Sequence, residues 1–200
     1  FNDREGFVKA LNGVYIELNT NELYGRNLTA GALDVMGQYY SVASSSHAFY
    51  NYGGLVYTGN DEKALFDNMW QKCYAVIACC NTIIEKCDEN KAGLSPVWKG
   101  AIKGEALALR AMLHFDMLRL FGPLTSELDK ESIPYQTNSD QTVTPLLSGS
   151  EVVGLILDDL KNAVGLLKDT DPYFVEEEFS DTDLNYRRFR MNYFAAKGLM

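Results

Sequence analysis

Apolar positions recur at helical spacing through most of the chain, and no stretch alternates apolar and polar residues long enough to read as a strand. The first predicted helix runs from about Asp3 to Leu18, with Asn2 or Asp3 as its cap and Glu5 in its first turn. Phe7, Leu11, Val14, Tyr15 and Leu18 form its buried stripe. A second helix spans about Asp61–Asp88, where Trp70, Ile77 and Ile84, with Tyr74 beside them, make an apolar seam. A third starts at Ser95-Pro96 and stops at Gly122-Pro123. A fourth covers about Ser150–Lys168, capped by Ser150, with Val153, Ile156, Leu157, Leu160, Val164 and Leu167 facing inward. A fifth begins near Arg190. It is still in register at Ala195–Met200, and the chain has no initiator Met, so a longer protein is expected, interrupted near residue 200.

The third helix carries most of the information. At 100° per residue, Lys99, Lys103, Arg110 and His114 share one stripe, and Glu105, Asp116 and Arg119 lie nearly opposite. Two apolar faces separate them. One holds Leu107, Ala108, Ala111, Phe115 and Leu118; the other holds Ile102, Ala106, Leu109, Leu113 and Leu120. A helix at the surface needs one apolar face, so a helix with two is sandwiched between neighbours. Stacked helical hairpins of the tetratricopeptide kind produce this arrangement. The fold class expected is all-α, a single helical domain over residues 1–200.

Residues 20–60 break the pattern. Six glycines punctuate them, with short helical turns expected around Leu33–Tyr40. A loop this long in a compact domain is functional or disordered, and its many aromatic residues argue against disorder.

Composition narrows the possibilities. With 46% hydrophobic and 22% charged residues the chain is globular. A net charge of −9 excludes a nucleic-acid binder and a polybasic grip on lipid, since both need a basic surface. No apolar run reaches the roughly 20 residues of a membrane span, and the first residues show no signal peptide. Cys73, Cys79, Cys80 and Cys87 all fall in the second helix, and a separation of seven residues along a helix is too far for a disulfide. Four buried thiols packing as small hydrophobes are expected, with no zinc site.

Three motifs together resemble the SusD/RagB family of outer-membrane nutrient-uptake lipoproteins. One is Trp70-x-x-x-Tyr74-x-x-Ile77-x-x-x-Asn81-x-x-Ile84. The second is Gly104-Glu105-Ala106-Leu107-Ala108-Leu109-Arg110-Ala111, continuing through Phe115-Asp116 to Arg119-Leu120-Phe121-Gly122-Pro123. The third is Arg190-Met191-Asn192-x-x-Ala195-Ala196, and Gly13-x-Tyr15 in the first helix also fits. The resemblance implies the N-terminal, tetratricopeptide-like part of a larger protein. It also implies a lipid anchor at the cell-surface face of the outer membrane, a SusC-like TonB-dependent transporter as partner, and capture of glycans or peptides without catalysis. The matched motifs report the scaffold and name no ligand residues.

Catalytic chemistry finds little support. No nucleophile elbow and no phosphate-binding loop is present. Of the two histidines, His114 reads as a structural group in a buried helix. Glu105 and Asp116 are about 16 Å apart along their helix, beyond either glycosidase geometry. Asp116 with Arg119 reads as an i,i+3 ion pair, and Glu105 and Arg110 as scaffold residues satisfied by neighbouring helices. The acidic stretch 169–186 fails the EF-hand pattern and reads as a solvated loop. No cofactor or metal is expected.

The feature that points to binding is the aromatic loop. Tyr39, Tyr40, His47, Phe49, Tyr50, Tyr52 and Tyr57 crowd together with Asn51 and Asn60. Flat rings stack on the C–H faces of sugars, and amide and phenol groups satisfy the hydroxyls. Tyr39, Tyr40, Phe49, Tyr50, Asn51 and Tyr52 are the candidate ligand-binding residues. The expected function is a non-catalytic glycan-binding component of an uptake complex. Alternatives are rings that only pin the loop, a loop that touches the transporter, a helical scaffold for a protein or peptide partner, and an α/α glycan-degrading enzyme.

Overall fold

A computed structural model describes residues 1–140, 142–175, 179–180 and 189–200. Seven α-helices lie among them: α1 (Arg4–Leu18), α2 (Ala32–Met36), α3 (Tyr50–Gly53), α4 (Asn60–Glu89), α5 (Pro96–Phe121), α6 (Gly149–Thr170) and α7 (Tyr193–Leu199). A two-stranded antiparallel sheet joins β1 (Glu131–Pro134) to β2 (Leu146–Ser148), pairing Glu131 with Ser148 and Pro134 with Leu146 across an irregular register. The all-α class stands. The small sheet is an addition the sequence hid, because strands of four and three residues are too short to show alternation.

The chain forms two compact units, Phe1–Asn12 with Ile77–Met200, and Gly13–Val76. In the first, α5 is the centre. Ser95 caps it, accepting a hydrogen bond from the Trp98 amide at 3.3 Å, and Pro96 opens it. Ile102, Ala106, Leu109 and Leu113 on one flank, and Leu107, Ala108, Ala111 and Leu118 on the other, are all buried, as a sandwiched helix requires. Phe115 is a correction: it is 40% exposed although it shares the phase of the second flank, and Leu120 is half-buried. Gly104 lets α6 approach closely. A Cβ there would stand 2.8 Å from Leu167 Cγ and 3.3 Å from the Ala163 carbonyl oxygen.

Helix α6 is capped by Ser148, not Ser150. The Ser148 hydroxyl accepts from the Glu151 amide at 3.3 Å, and the Glu151 carboxylate accepts from the Ser148 amide at 2.8 Å, a reciprocal capping box. Its buried face is centred on Val152, Ile156, Asp159, Leu160, Ala163 and Leu167, so Val153, Leu157 and Val164 sit at the margin. The apolar count misplaced that face because Asp159 occupies its middle.

In α4, Cys73, Cys80 and Cys87 line the buried seam with Met69, Val76, Ile77, Ile83 and Ile84, while Trp70 and Tyr74 are half-buried and lie against each other at 4.7 Å. Cys79 is exposed, a correction to four buried thiols, because it faces away from that seam. Burial pushes the Cys80 and Cys87 thiols up to about 12.

Asp171 corrects the solvated acidic loop. It is fully buried beyond the end of α6, where its carboxylate accepts from the Tyr173 amide at 3.0 Å and the Tyr193 amide at 2.9 Å. Helix α7 starts later than expected, at Tyr193, capped by Asn192, which accepts from the Ala195 amide at 2.9 Å. The acidic positions Glu176–Glu178, Asp181 and Asp183 lie outside the described residues.

Candidate functional site: an aromatic surface and a buried clamp

The unit Gly13–Val76 contains the aromatic loop. Its interior is a cluster of Ala32 and Val35 from α2 and Tyr52 from α3, with Phe49, Tyr57, Leu65 and Phe66 packed against it. Ring centroids of 5.8 Å for Phe49–Tyr52, 6.0 Å for Tyr52–Phe66 and 5.5 Å for Tyr57–Phe66, all edge-on, tie the loop to the first turns of α4. Tyr52 is only 2% exposed and offers no ring face to a ligand, so its candidacy is corrected to a core role. Burial, then the charges of Glu62 and Asp61, push its hydroxyl up to about 12. Phe49 is half-buried, flanked by His47 at 5.8 Å and by the Arg26 guanidinium at 5.8 Å. These rings hold the loop in place.

The other candidates face solvent. Tyr39 is 82% exposed, Tyr40 43% and Tyr50 42%. Tyr39 lies with its ring edge 3.1 Å from where a Gly37 Cβ would stand, so the missing side chain of Gly37 lets the ring settle onto backbone. The Tyr40 hydroxyl donates to the carbonyls of Ala30 and Gly31, which fixes it against the start of α2. Asn51 is exposed, and its amide donates to the Glu62 carboxylate at 2.8 Å.

Gln38, which sequence reasoning passed over, organises this surface. Its backbone takes φ +60°, a left-handed conformation that strains a residue with a Cβ. Its side-chain amide donates to the Val35 carbonyl at 3.3 Å and the Gly53 carbonyl at 3.0 Å, binding the end of α2 to the end of α3. Tyr39 and Tyr40 follow the first end, and Tyr50 opens the second helix. Leu55, at φ +56°, is a second strained position and is 59% exposed. Two left-handed non-glycine positions, Gln38 and Leu55, thus flank in sequence the segment that runs from Tyr39 to Tyr50.

The chemically loaded residues of the helical unit serve a different purpose. Arg110 pairs with Asp159 in two parallel bonds, Nε to Oδ2 and Nη2 to Oδ1, each 2.7 Å, with the side chains 7% and 10% exposed. The Tyr135 hydroxyl donates to the same carboxylate at 2.6 Å. Burial and then the Asp159 charge hold the Tyr135 hydroxyl well above the usual phenol range. Around this pair the segment 136–139 is gripped through its backbone. His114 Nε2 accepts from the Gln136 amide at 3.0 Å, and Asn81 donates to the carbonyls of Gln136 at 3.1 Å and Asn138 at 2.8 Å. Arg110 Nη1 donates to the Thr137 carbonyl at 3.4 Å, and Glu85 accepts from the Ser139 amide at 2.7 Å.

His114 is fully buried and stacked on Tyr135 at 3.9 Å. Since Nε2 accepts, Nδ1 carries the proton and donates to the Arg110 carbonyl at 2.9 Å. Burial lowers its pKa to about 3, partly opposed by that bond and reinforced by the Arg110 charge. Asp116 pairs with Arg119 at 2.9 Å on the surface, as the spacing requires. Every member of this constellation is committed to holding the chain. Among the described residues no group of three His, Cys, Asp or Glu side chains is placed to hold a metal ion, and no helix is long and apolar enough to cross a membrane.

Comparison with solved structures finds the same fold. A SusD-like carbohydrate-binding protein from Bacteroides vulgatus superposes with a TM-score of 0.75 at 23% identity, covering 100% of this chain and 40% of that one. A SusD homologue from Bacteroides thetaiotaomicron gives 0.65 at 21% identity, covering 100% and 35%. Among curated relatives, a SusD-like protein of Formosa agariphila is 34% identical over 96 residues, 47% of this chain and 17% of its own length. One of Bacteroides ovatus is 30% identical over 110 residues, 53% of this chain and 19% of its own. The chain thus spans about a fifth of these curated relatives. A family model described as starch-binding, associating with the outer membrane, matches residues 8–180, and the chain belongs to this SusD-like family.

Proposed function

We propose that this chain is the N-terminal helical part of a non-catalytic glycan-binding protein of an outer-membrane nutrient-uptake complex. The observation that carries the reading is the surface made by Tyr39, Tyr40 and Tyr50. Three exposed rings stand on a backbone fixed by Gln38 and Gly37. Stacking on sugar C–H faces needs rings that are exposed and already oriented, since ordering them on binding would subtract from affinity. Asn51 and the neighbouring backbone supply polar partners at the rim. Phe49 and Tyr52 serve behind the surface as its support. Membership in the family and the description of the Bacteroides vulgatus neighbour as carbohydrate-binding support the glycan class.

The same reading places the protein at the cell surface, lipid-anchored through a segment outside the sequence at hand, where it passes ligand to a SusC-like TonB-dependent transporter. Affinity electrophoresis in gels containing starch and other polysaccharides tests the binding. The protein is retarded by at least one glycan, and Tyr39→Ala and Tyr50→Ala each reduce the retardation, with stacking worth about 1 kcal/mol per ring. Unretarded migration on every glycan, or retardation indifferent to both substitutions, removes the proposal. Release of reducing sugar would replace it with a hydrolase.

A further inference from the structure

A cavity of about 690 Å³ opens in the unit that contains α5 and α6, bounded by the facing sides of α4, α5 and α6. Its size lies within the roughly 300–1,000 Å³ of small-molecule sites. The Arg110–Asp159 pair is part of its lining, and Lys103 of α5 and Lys161 and Asn162 of α6 line it as well. Ile84, Leu107 and Leu166 give it apolar surface. The lining therefore holds three cations against one carboxylate, in a chain whose net charge is −9.

Lys103 and Lys161 have partners, Asp88 and, at 3.5 Å, Asp158, which are not part of the lining. The side chains of Asp88 and Asp158 are 53% and 68% exposed. The Lys161 pair is exposed on both sides and is held by about 0–1 kcal/mol, so its ammonium group can exchange to an arriving anion, while the Lys103 side chain is 24% exposed beside it in the lining. Gly165 bears on the shape of the cavity. A glycine inside a helix costs about 1 kcal/mol relative to alanine. A Cβ at this position would meet nothing within 4 Å, so no protein neighbour requires its absence. Its bare backbone lines the cavity.

We propose that this cavity is a second binding site, distinct in composition from the aromatic surface, and that it takes a saccharide bearing a carboxylate, of the uronic acid class. The carboxylate lies between Lys103 and Lys161. Asn162 and Thr137 take hydroxyls, and the C–H face of the ring rests on Leu107 and Leu166. The shape selects a short ligand or a chain end, while the charge selects acidic over neutral sugars.

Isothermal titration of the intact chain with galacturonate and its short oligomers, beside galactose and galactose oligomers of equal length, tests this. The acidic sugar binds, and the neutral one binds at least about tenfold more weakly. Lys161→Glu weakens uronate binding at least about tenfold. Gly165→Leu adds a side chain to the cavity lining and weakens binding while remaining folded by circular dichroism, since leucine is the better helix former. Gly154→Leu is the matched control, because a Cβ at Gly154 also meets nothing within 4 Å and Gly154 is not in the lining; it leaves binding unchanged. No heat with the uronate, equal affinity for the neutral sugar, or undiminished binding by Gly165→Leu overturns the proposal.

Discussion

Removing the Arg110 side chain would leave the Asp159 carboxylate buried with the Tyr135 hydroxyl to hold it. Breaking one side of a buried ion pair costs about 3–5 kcal/mol, whereas replacing both members by apolar groups is often close to neutral. Urea denaturation of Arg110→Leu is expected to show a loss of that size, and Arg110→Leu with Asp159→Leu is expected to be more stable than Arg110→Leu alone. His114 gives a pH signature. Its folded pKa, about 3, lies below the ordinary value of 6.5, so the unfolded chain binds the extra proton between those limits. Stability therefore falls as pH drops below about 6.5, by up to roughly 1.4 kcal/mol per pH unit from this group, and levels off below the folded pKa. Urea midpoints measured from pH 7 to pH 4 should show the slope, and His114→Gln should lose its share of it. The thiols divide in the same way. At pH 8 a thiol reagent should label Cys79 rapidly and Cys73, Cys80 and Cys87 only on unfolding, and four equal rates would contradict the burial pattern. Spacing in the sequence identified these side chains as structural. It did not separate Cys79 from its neighbours, because the seam of α4 follows Met69, Cys73, Val76 and Cys80, one residue out of phase with the Trp70–Ile77 series.

At the level of elements, glycine offers a comparison of sign. Gly104→Ala forces Leu167 aside and is expected to destabilise by about 1–3 kcal/mol, less the gain in helix propensity. Gly165→Ala gains about 1 kcal/mol without obstruction. Thermal melts of the two variants should move in opposite directions. Ser148→Ala should cost about 1 kcal/mol by removing the α6 cap, while Ser150→Ala should be nearly silent. Five of the seven helices among the described residues, with their order and most boundaries, were readable in the sequence because capping residues and apolar periods are local signals; α2 was expected only as short turns and α3, a single turn, was not expected. The α6 cap was misread by two positions because Ser148 and Ser150 both stand near Glu151, and only Ser148 has the three-residue spacing a capping box needs. The face of α6 was misread because a buried aspartate is invisible to an apolar count, and its partner Arg110 is 49 positions away.

For the molecule as a whole, salt should separate its two proposed binding modes. Stacking on Tyr39 and Tyr50 does not depend on counter-ions, whereas a carboxylate held by Lys103 and Lys161 does. Raising NaCl from about 0.05 to about 0.5 M should leave retardation on neutral glycan unchanged and weaken uronate binding several-fold, as the screening length shortens from about 14 Å to about 4 Å. The family was legible from the helices α4 and α5, whose motifs lie in unbroken stretches. The aromatic loop was legible as a cluster, but its division into Tyr39, Tyr40 and Tyr50 outside and Phe49 and Tyr52 inside was not. That division is set by how α2 and α3 pack with α4, which adjacency in sequence does not encode. The grip on residues 136–139 was equally hidden, since Asn81 reaches carbonyls 55 and 57 positions away.

That grip acts on peptide groups except at Ser139, whose hydroxyl also donates to Glu85. Asn81, Arg110 and His114 bind amides and carbonyls that any residue other than proline at Gln136 would provide in the same place. The lettering of the stretch can therefore change while its path stays put. Thr137, which borders the cavity, can be exchanged for a longer, shorter or charged residue at little expense to the frame, so the chemistry of the cavity wall can be altered at this position without moving the chain that carries it.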